Sequence, residues 1–148
     1  MNPTSSFPRV PLLVLGSFLL PWTPQFVYEL SSIPAVFFLA RMTRLSPIAR
    51  KTLRKAVRDA PQPTAVQRLE LPREFTIDTA RLRQFTEPVL LFGSRGDRIL
   101  PSVEEVYRLA GVFPNARTVI LPHSGHACLL ESDLDLIAIL RETRFLPV

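Results

Sequence analysis

Apolar and polar positions alternate between two regimes along this chain. From Pro88 to Leu140 the apolar residues come in short runs separated by polar loops, and before Pro88 they come in longer blocks broken by prolines. The run Pro88-Val89-Leu90-Leu91-Phe92 is too short for a helix. Its lack of alternation predicts a strand covered on both faces, as in a parallel sheet. Ser102-Val103-Glu104-Glu105 has the capping-box spacing, with Ser102 at the N-cap and Glu105 reaching back. Val106, Leu109, Ala110 and Phe113 continue it as a helical stripe, and Gly111 and Pro114 mark its end. Thr118-Val119-Ile120-Leu121 reads as a second strand. Ser132 to Asp135 then opens a helix carrying Leu136, Ile137 and Leu140.

Met1 to Trp22 reads as a loop and then an apolar segment, Val10 to Leu20, with no clear period; the blocks after it read as short helices. Thr23-Pro24 places an N-cap residue before Pro at the first helical position and predicts a short helix through Leu30. Pro34 to Met42 reads as a separate helix, apolar almost all round. Ser46-Pro47 repeats the cap signal. The helix it opens sets Ile48, Thr52, Leu53, Ala56 and Val57 on one face and basic residues on the other, and Asp59 to Pro63 ends it. Val66, Leu69 and Leu71 are followed by Pro72, and Asp78 caps a last short helix holding Ala80, Leu82 and Phe85.

The resulting order at the C-terminal end is strand, Asp97 loop, helix, strand, His126 loop, helix. A βαβ crossover of the usual right hand puts both loops at carboxyl ends of neighbouring strands, where open α/β sheets place their chemistry. A carboxylate there can hold the Nδ1–H of an imidazole and leave Nε2 as a general base. Asp97 and His126 are therefore the candidate catalytic residues. An Asp beside Gly96 also serves in ordinary turns, and a loop histidine can simply bond backbone. His123 fits no role as well and is assigned to the surface. His123, His126 and Cys128 lack the paired arrangement of zinc ligands, so no metal and no cofactor is expected. Cys128 reads as a small buried filler, and Glu131 as charge near the start of the last helix.

Asp97-Arg98-Ile99-Leu100-Pro101-Ser102 with Glu104-Glu105, Phe113-Pro114-Asn115, and Ser124-Gly125-His126 followed by Leu129-Leu130-Glu131 together resemble the C-terminal end of an α/β-hydrolase. The resemblance narrows to the esterase/lipase/thioesterase branch that includes plant plastid phytyl ester synthases and their shorter cyanobacterial relatives. Asn2 to Phe7 more loosely resembles the loop leaving the sixth strand of such enzymes. The resemblance implies an α/β fold in which residues 1–85 form a helical cap or lid and residues 86–148 the last two parallel strands with their helices. The sheet is then incomplete. It also implies acyl-ester chemistry, esterase, lipase or acyltransferase, through a Ser-His-Asp triad with Asp97 as acid and His126 as base.

The departure is equally specific. The chain has no G-x-S-x-G nucleophile elbow and no Gly-rich oxyanion loop. Gly16-Ser17 and Gly93-Ser94 have the wrong spacing. Triad chemistry without nucleophile and oxyanion hole loses its largest contributions. The alternative is an inactive, truncated remnant or a fragment dependent on a partner, poorly soluble and exposing one edge of the strand Val89–Phe92 for association.

Composition adjusts this picture at the margins. The hydrophobic share of 47% suits a globular core. A single cysteine excludes an internal disulfide and fits an intracellular, reducing compartment, cytoplasmic or peripheral to a membrane. The net charge of +5 is concentrated between Arg41 and Arg58. No aromatic residues interleave with those charges and no binding motif accompanies them, so no nucleic-acid partner is expected. A basic face beside apolar helices fits a solvated cap face or peripheral membrane contact. Val10 to Tyr28 approaches membrane-span length, but Pro11, Pro21 and Pro24 interrupt it, and no clean signal-cleavage site follows. The surplus of Phe, Leu and Val before Pro88 suits a long acyl group as substrate, an acyl ester or acyl-donor lipid.

Overall fold

The computed structural model describes residues 10–74 and 78–146; the stretch Asn2 to Phe7 lies outside them. Helix α1 (Pro11–Leu19) runs into a 3-10 turn (Leu20–Trp22), followed by α2 (Gln25–Leu39), α3 (Pro47–Arg58), α4 (Gln62–Glu74) and α5 (Thr79–Arg83). Then come β1 (Val89–Ser94), α6 (Ser102–Ala110), β2 (Ala116–Leu121) and α7 (Leu136–Glu142). The two strands pair in parallel, Val89 opposite Ala116 and Ser94 opposite Leu121. Both polar loops therefore leave from the same end of the sheet. Among the described residues no other strand joins it, so one edge of β1 carries no ladder partner.

The core under this sheet is small. Leu91 of β1 packs with Val106, Leu109 and Phe113 of the α6 stripe, and Phe85 meets Phe113 edge-on at 6.0 Å. Gly93 lets α6 approach closely, since a Cβ there would sit 3.1 Å from Val106 and from Ile120. Two-sided cover of β1 is not reached. Leu91 is buried, whereas Leu90 and Phe92 on the opposite face are only half-buried. Among the described residues a helix packs closely on one side only.

Several local expectations need correction. Ser102 is not an N-cap: Pro101 holds that position, and the Ser102 hydroxyl accepts the Ser94 N–H at 3.0 Å. The hydroxyl ties the end of β1 to the start of α6, and Glu105 pairs with Arg108. The two helices expected around Pro34 are one, α2, with Pro34 inside. A proline in a helix interior removes one bond and costs about 3 kcal/mol, so packing of both halves against their neighbours must offset it. Thr23 does not cap α2, because its hydroxyl donates back to the Leu19 carbonyl. Pro72 likewise falls within α4 and does not end it. Ile48 points outward, 79% exposed, leaving Leu53 and Val57 as the inward face of α3.

Other caps form as their sequences dictate. Ser46 accepts the Ala49 N–H, Asp78 those of Ala80 and Arg81, and Asp135 that of Ala138. Among the described residues no helix is long and apolar enough to cross a membrane.

Candidate active site

The loops after β1 and β2 are drawn together by the backbone before any side chain acts. Arg95 N–H donates to the Leu121 carbonyl and Gly96 N–H to that of Ser124, at 3.0 and 2.9 Å. Glycine is required at 96. A Cβ there would stand 2.5 Å from Arg41 Nε and 2.7 Å from the Ser124 oxygen. With the loops in contact, Asp97 Oδ2 lies 3.0 Å from His126 Nδ1. The other oxygen, Oδ1, accepts the N–H groups of Ile99 and Leu100 at 2.9 and 3.0 Å. The Asp97 side chain is 5% exposed and that of His126 30%.

Burial by itself raises the Asp97 carboxyl. The hydrogen bond from His126, the N–H groups of Leu100 and Ile99 and the charge of His126 outweigh that, and hold it below its ordinary value of 3.8. An ionised carboxylate only accepts, so Nδ1 donates and a neutral ring keeps Nε2 as acceptor. Nε2 makes no hydrogen bond among the described residues. The pair can take and return a proton at Nε2, provided a nucleophile is brought there.

Glu131 was missed by sequence reasoning as part of this construction. Its side chain is fully buried. Oε1 accepts the Gly125 N–H at 2.8 Å, and Oε2 meets Arg44 Nε at 2.9 Å. Arg44 continues to Asp133 at 2.7 Å. The carboxylate thus fixes the residue before His126 and fastens it to the segment between α2 and α3. That segment is held further along its length. Ala127 N–H donates to the Leu39 carbonyl, Ser132 N–H to that of Arg44, and Leu45 pairs with Glu131 in an antiparallel bridge. Neither spacing nor composition near Glu131 signals this role, because its partner lies 87 residues away.

The remaining candidates are placed as follows. His123 is exposed, and Cys128 is half-buried, not a filled core position. Ser17 and Ser94 are both buried, Ser17 bonded to the Val14 carbonyl of its own helix. No cluster of three or more His, Cys, Asp or Glu able to hold a metal ion is found among the described residues.

A cavity of about 520 Å³ lies between α1, α2, α3 and α4 and reaches Arg98 and Ile99. Its walls are mainly apolar, among them Leu13, Leu20, Ala35, Phe38, Val57 and Leu69, with Arg68 and Arg98 as its cationic residues. Neither Asp97 nor His126 lines it. The connection is the turn Asp97–Leu100, whose second and third residues, Arg98 and Ile99, form part of the wall while the Asp97 carboxylate binds the Ile99 N–H.

A family model described as alpha/beta hydrolase fold matches residues 6–133. Phytyl ester synthase 1, chloroplastic, of Arabidopsis thaliana is 31% identical over 84 residues, which cover 56% of this chain and 12% of that protein. A thermophilic esterase from Thermogutta terrifontis, solved with malate bound, has a TM-score of 0.63 at 20% identity, over 98% of this chain and 51% of that one. The chain therefore spans about half the length of the esterase and a small part of the plant protein.

Proposed function

This chain belongs to the α/β-hydrolase family, and from that premise we propose that Asp97 and His126 are the acid and base of a Ser-His-Asp site acting on acyl esters. The observation that carries the reading is the 3.0 Å contact between Asp97 Oδ2 and His126 Nδ1, with Nε2 making no hydrogen bond among the described residues. In such a site Nε2 takes the proton of a serine as it attacks the acyl carbonyl, then returns it to the leaving oxygen. Asp97 stays ionised and stabilises the imidazolium between the two steps. Helices α1 to α5 act as the cap, and the apolar cavity beneath α1–α4 takes the acyl chain. The name of the plant relative, a phytyl ester synthase, favours a lipid acyl donor and keeps both water and an alcohol open as acceptors.

The 148 residues contain no G-x-S-x-G, so in this reading the serine is supplied from outside them. The absence of an elbow from these residues, and a β1 edge that no strand among the described residues joins, favour a second reading, in which these residues do no catalysis by themselves and associate through that edge. One experiment separates the two. Coding sequence upstream of Met1 is read in frame for a strand followed by G-x-S-x-G, and the chain is produced with and without it. Turnover of p-nitrophenyl acyl esters is expected from the extended protein only, and is lost in His126→Ala. An extended protein that carries the elbow yet stays inactive, or turnover that survives His126→Ala, rejects the triad role.

A further inference from the structure

Helix α2 has two unlike faces. Tyr28, Ser32, Ala35 and Leu39 look into the cavity. Half a turn round, Phe26, Leu30, Ile33 and Phe37 recur at the spacing of a single stripe. They are 71%, 66%, 63% and 51% exposed. Trp22, in the turn leading into this helix, is 87% exposed. Scattered exposed apolar residues are ordinary on a protein surface, but a continuous stripe of large ones marks a contact.

The charge beside the stripe narrows what makes that contact. Helix α3 packs against α2, and Ile33 and Phe37 share a groove with Arg54 and Arg58. Helix α3 holds five basic residues and no acidic one. Two carboxylates lie by this face, Asp59, paired with Lys55 and Arg58, and Glu29, which accepts from the Gln25 amide, and the five basic residues of α3 outnumber them.

We infer that this face docks on an anionic lipid surface. The α2 stripe and Trp22 enter the boundary between headgroups and acyl chains, and Arg54 and Arg58 meet lipid phosphates. An apolar helix face with a basic flank is the arrangement that lies in such an interface, and the amphipathic indole of Trp suits the same depth. Neither Asp97 nor His126 takes part, so the surface holds whether or not the acyl-transfer reading does.

The test is cosedimentation of the full 148-residue chain with phosphatidylcholine vesicles, with and without phosphatidylglycerol. Circular dichroism and size-exclusion chromatography check the fold and oligomeric state of each variant. Binding is expected on the anionic vesicles and falls with added salt. Arg54→Gln/Arg58→Gln lowers the partition coefficient roughly thirtyfold, about fivefold for each charge lost near the membrane. Leu30→Ser/Ile33→Ser lowers it by about tenfold or more, and Tyr107→Ser, an exposed site on α6, leaves it unchanged. Three results overturn the inference. They are absence of binding to anionic vesicles, equal binding to neutral ones, and a wild-type dimer that Leu30→Ser/Ile33→Ser converts to monomer.

Discussion

Replacing Glu131 tests whether a single buried carboxylate holds the His loop in place. In Glu131→Ala the Gly125 N–H, buried and bonded at 2.8 Å, loses its acceptor, which costs about 1–3 kcal/mol. Arg44 loses its buried partner, but its side chain is 26% exposed and keeps Asp133 at 2.7 Å, so that part adds only about 1 kcal/mol. The sum is roughly 3 kcal/mol, or a fall of about 2 M in the urea midpoint at a slope near 1.5 kcal/mol/M. Glu131→Gln keeps an oxygen for Gly125 but turns a donor NH2 toward the Arg44 N–H, so it loses the Arg44 pair alone and costs about 1 kcal/mol. Urea unfolding measures both, and amide hydrogen exchange at Gly125 locates the effect. The Gly125 amide should lose protection in Glu131→Ala and retain it in Glu131→Gln. Unchanged protection in the alanine variant, or equal losses of stability in the two variants, would refute the assignment of the energy to this N–H.

Two further outcomes follow from the site. Because the folded-state pKa of Asp97 is depressed, its contribution to stability is fully present above the unfolded value near 4 and is lost as pH falls through the lower folded value. Urea midpoints measured downward from pH 5 should therefore drop more steeply in wild type than in Asp97→Asn, and parallel curves would contradict the shift. Gly96→Ala places a methyl against Arg41 and the Ser124 carbonyl. It should cost about 1–3 kcal/mol and weaken the His126 contact to Asp97, seen by NMR as loss of the downfield Nδ1 proton at low temperature; retention of that proton with native stability would show that the close approach is relieved elsewhere.

How much of this could be read beforehand depends on the range of each interaction. The α6 stripe and the caps at Ser46 and Asp78 rest on neighbours within four residues and were legible, as were the two strands from their short apolar runs. The proximity of Asp97 and His126 was legible as well, because a parallel crossover leaves little choice about where two consecutive strand ends go. The prolines misled in the opposite direction. Pro34 read as the start of a separate helix and Pro72 as a stop, yet α2 and α4 continue through them, and only contacts made by the rest of the molecule can offset a missing N–H. Ser102 has the local signature of a cap and spends its hydroxyl on Ser94 instead. Glu131 looked like a helix-end charge because Arg44 is distant in the chain. Sequence patterning reports what a residue prefers and is silent on which remote group claims it first.

The fastening between residues 39–45 and the His loop has a consequence for motion. Bonds from Leu39, Arg44 and Leu45 to Ala127, Glu131 and Ser132 join the C-terminal end of α2 to the imidazole-bearing loop as one piece. The chamber's ceiling is thus bolted along the wall beside His126. Any displacement of that end of α2 would carry the imidazole with it.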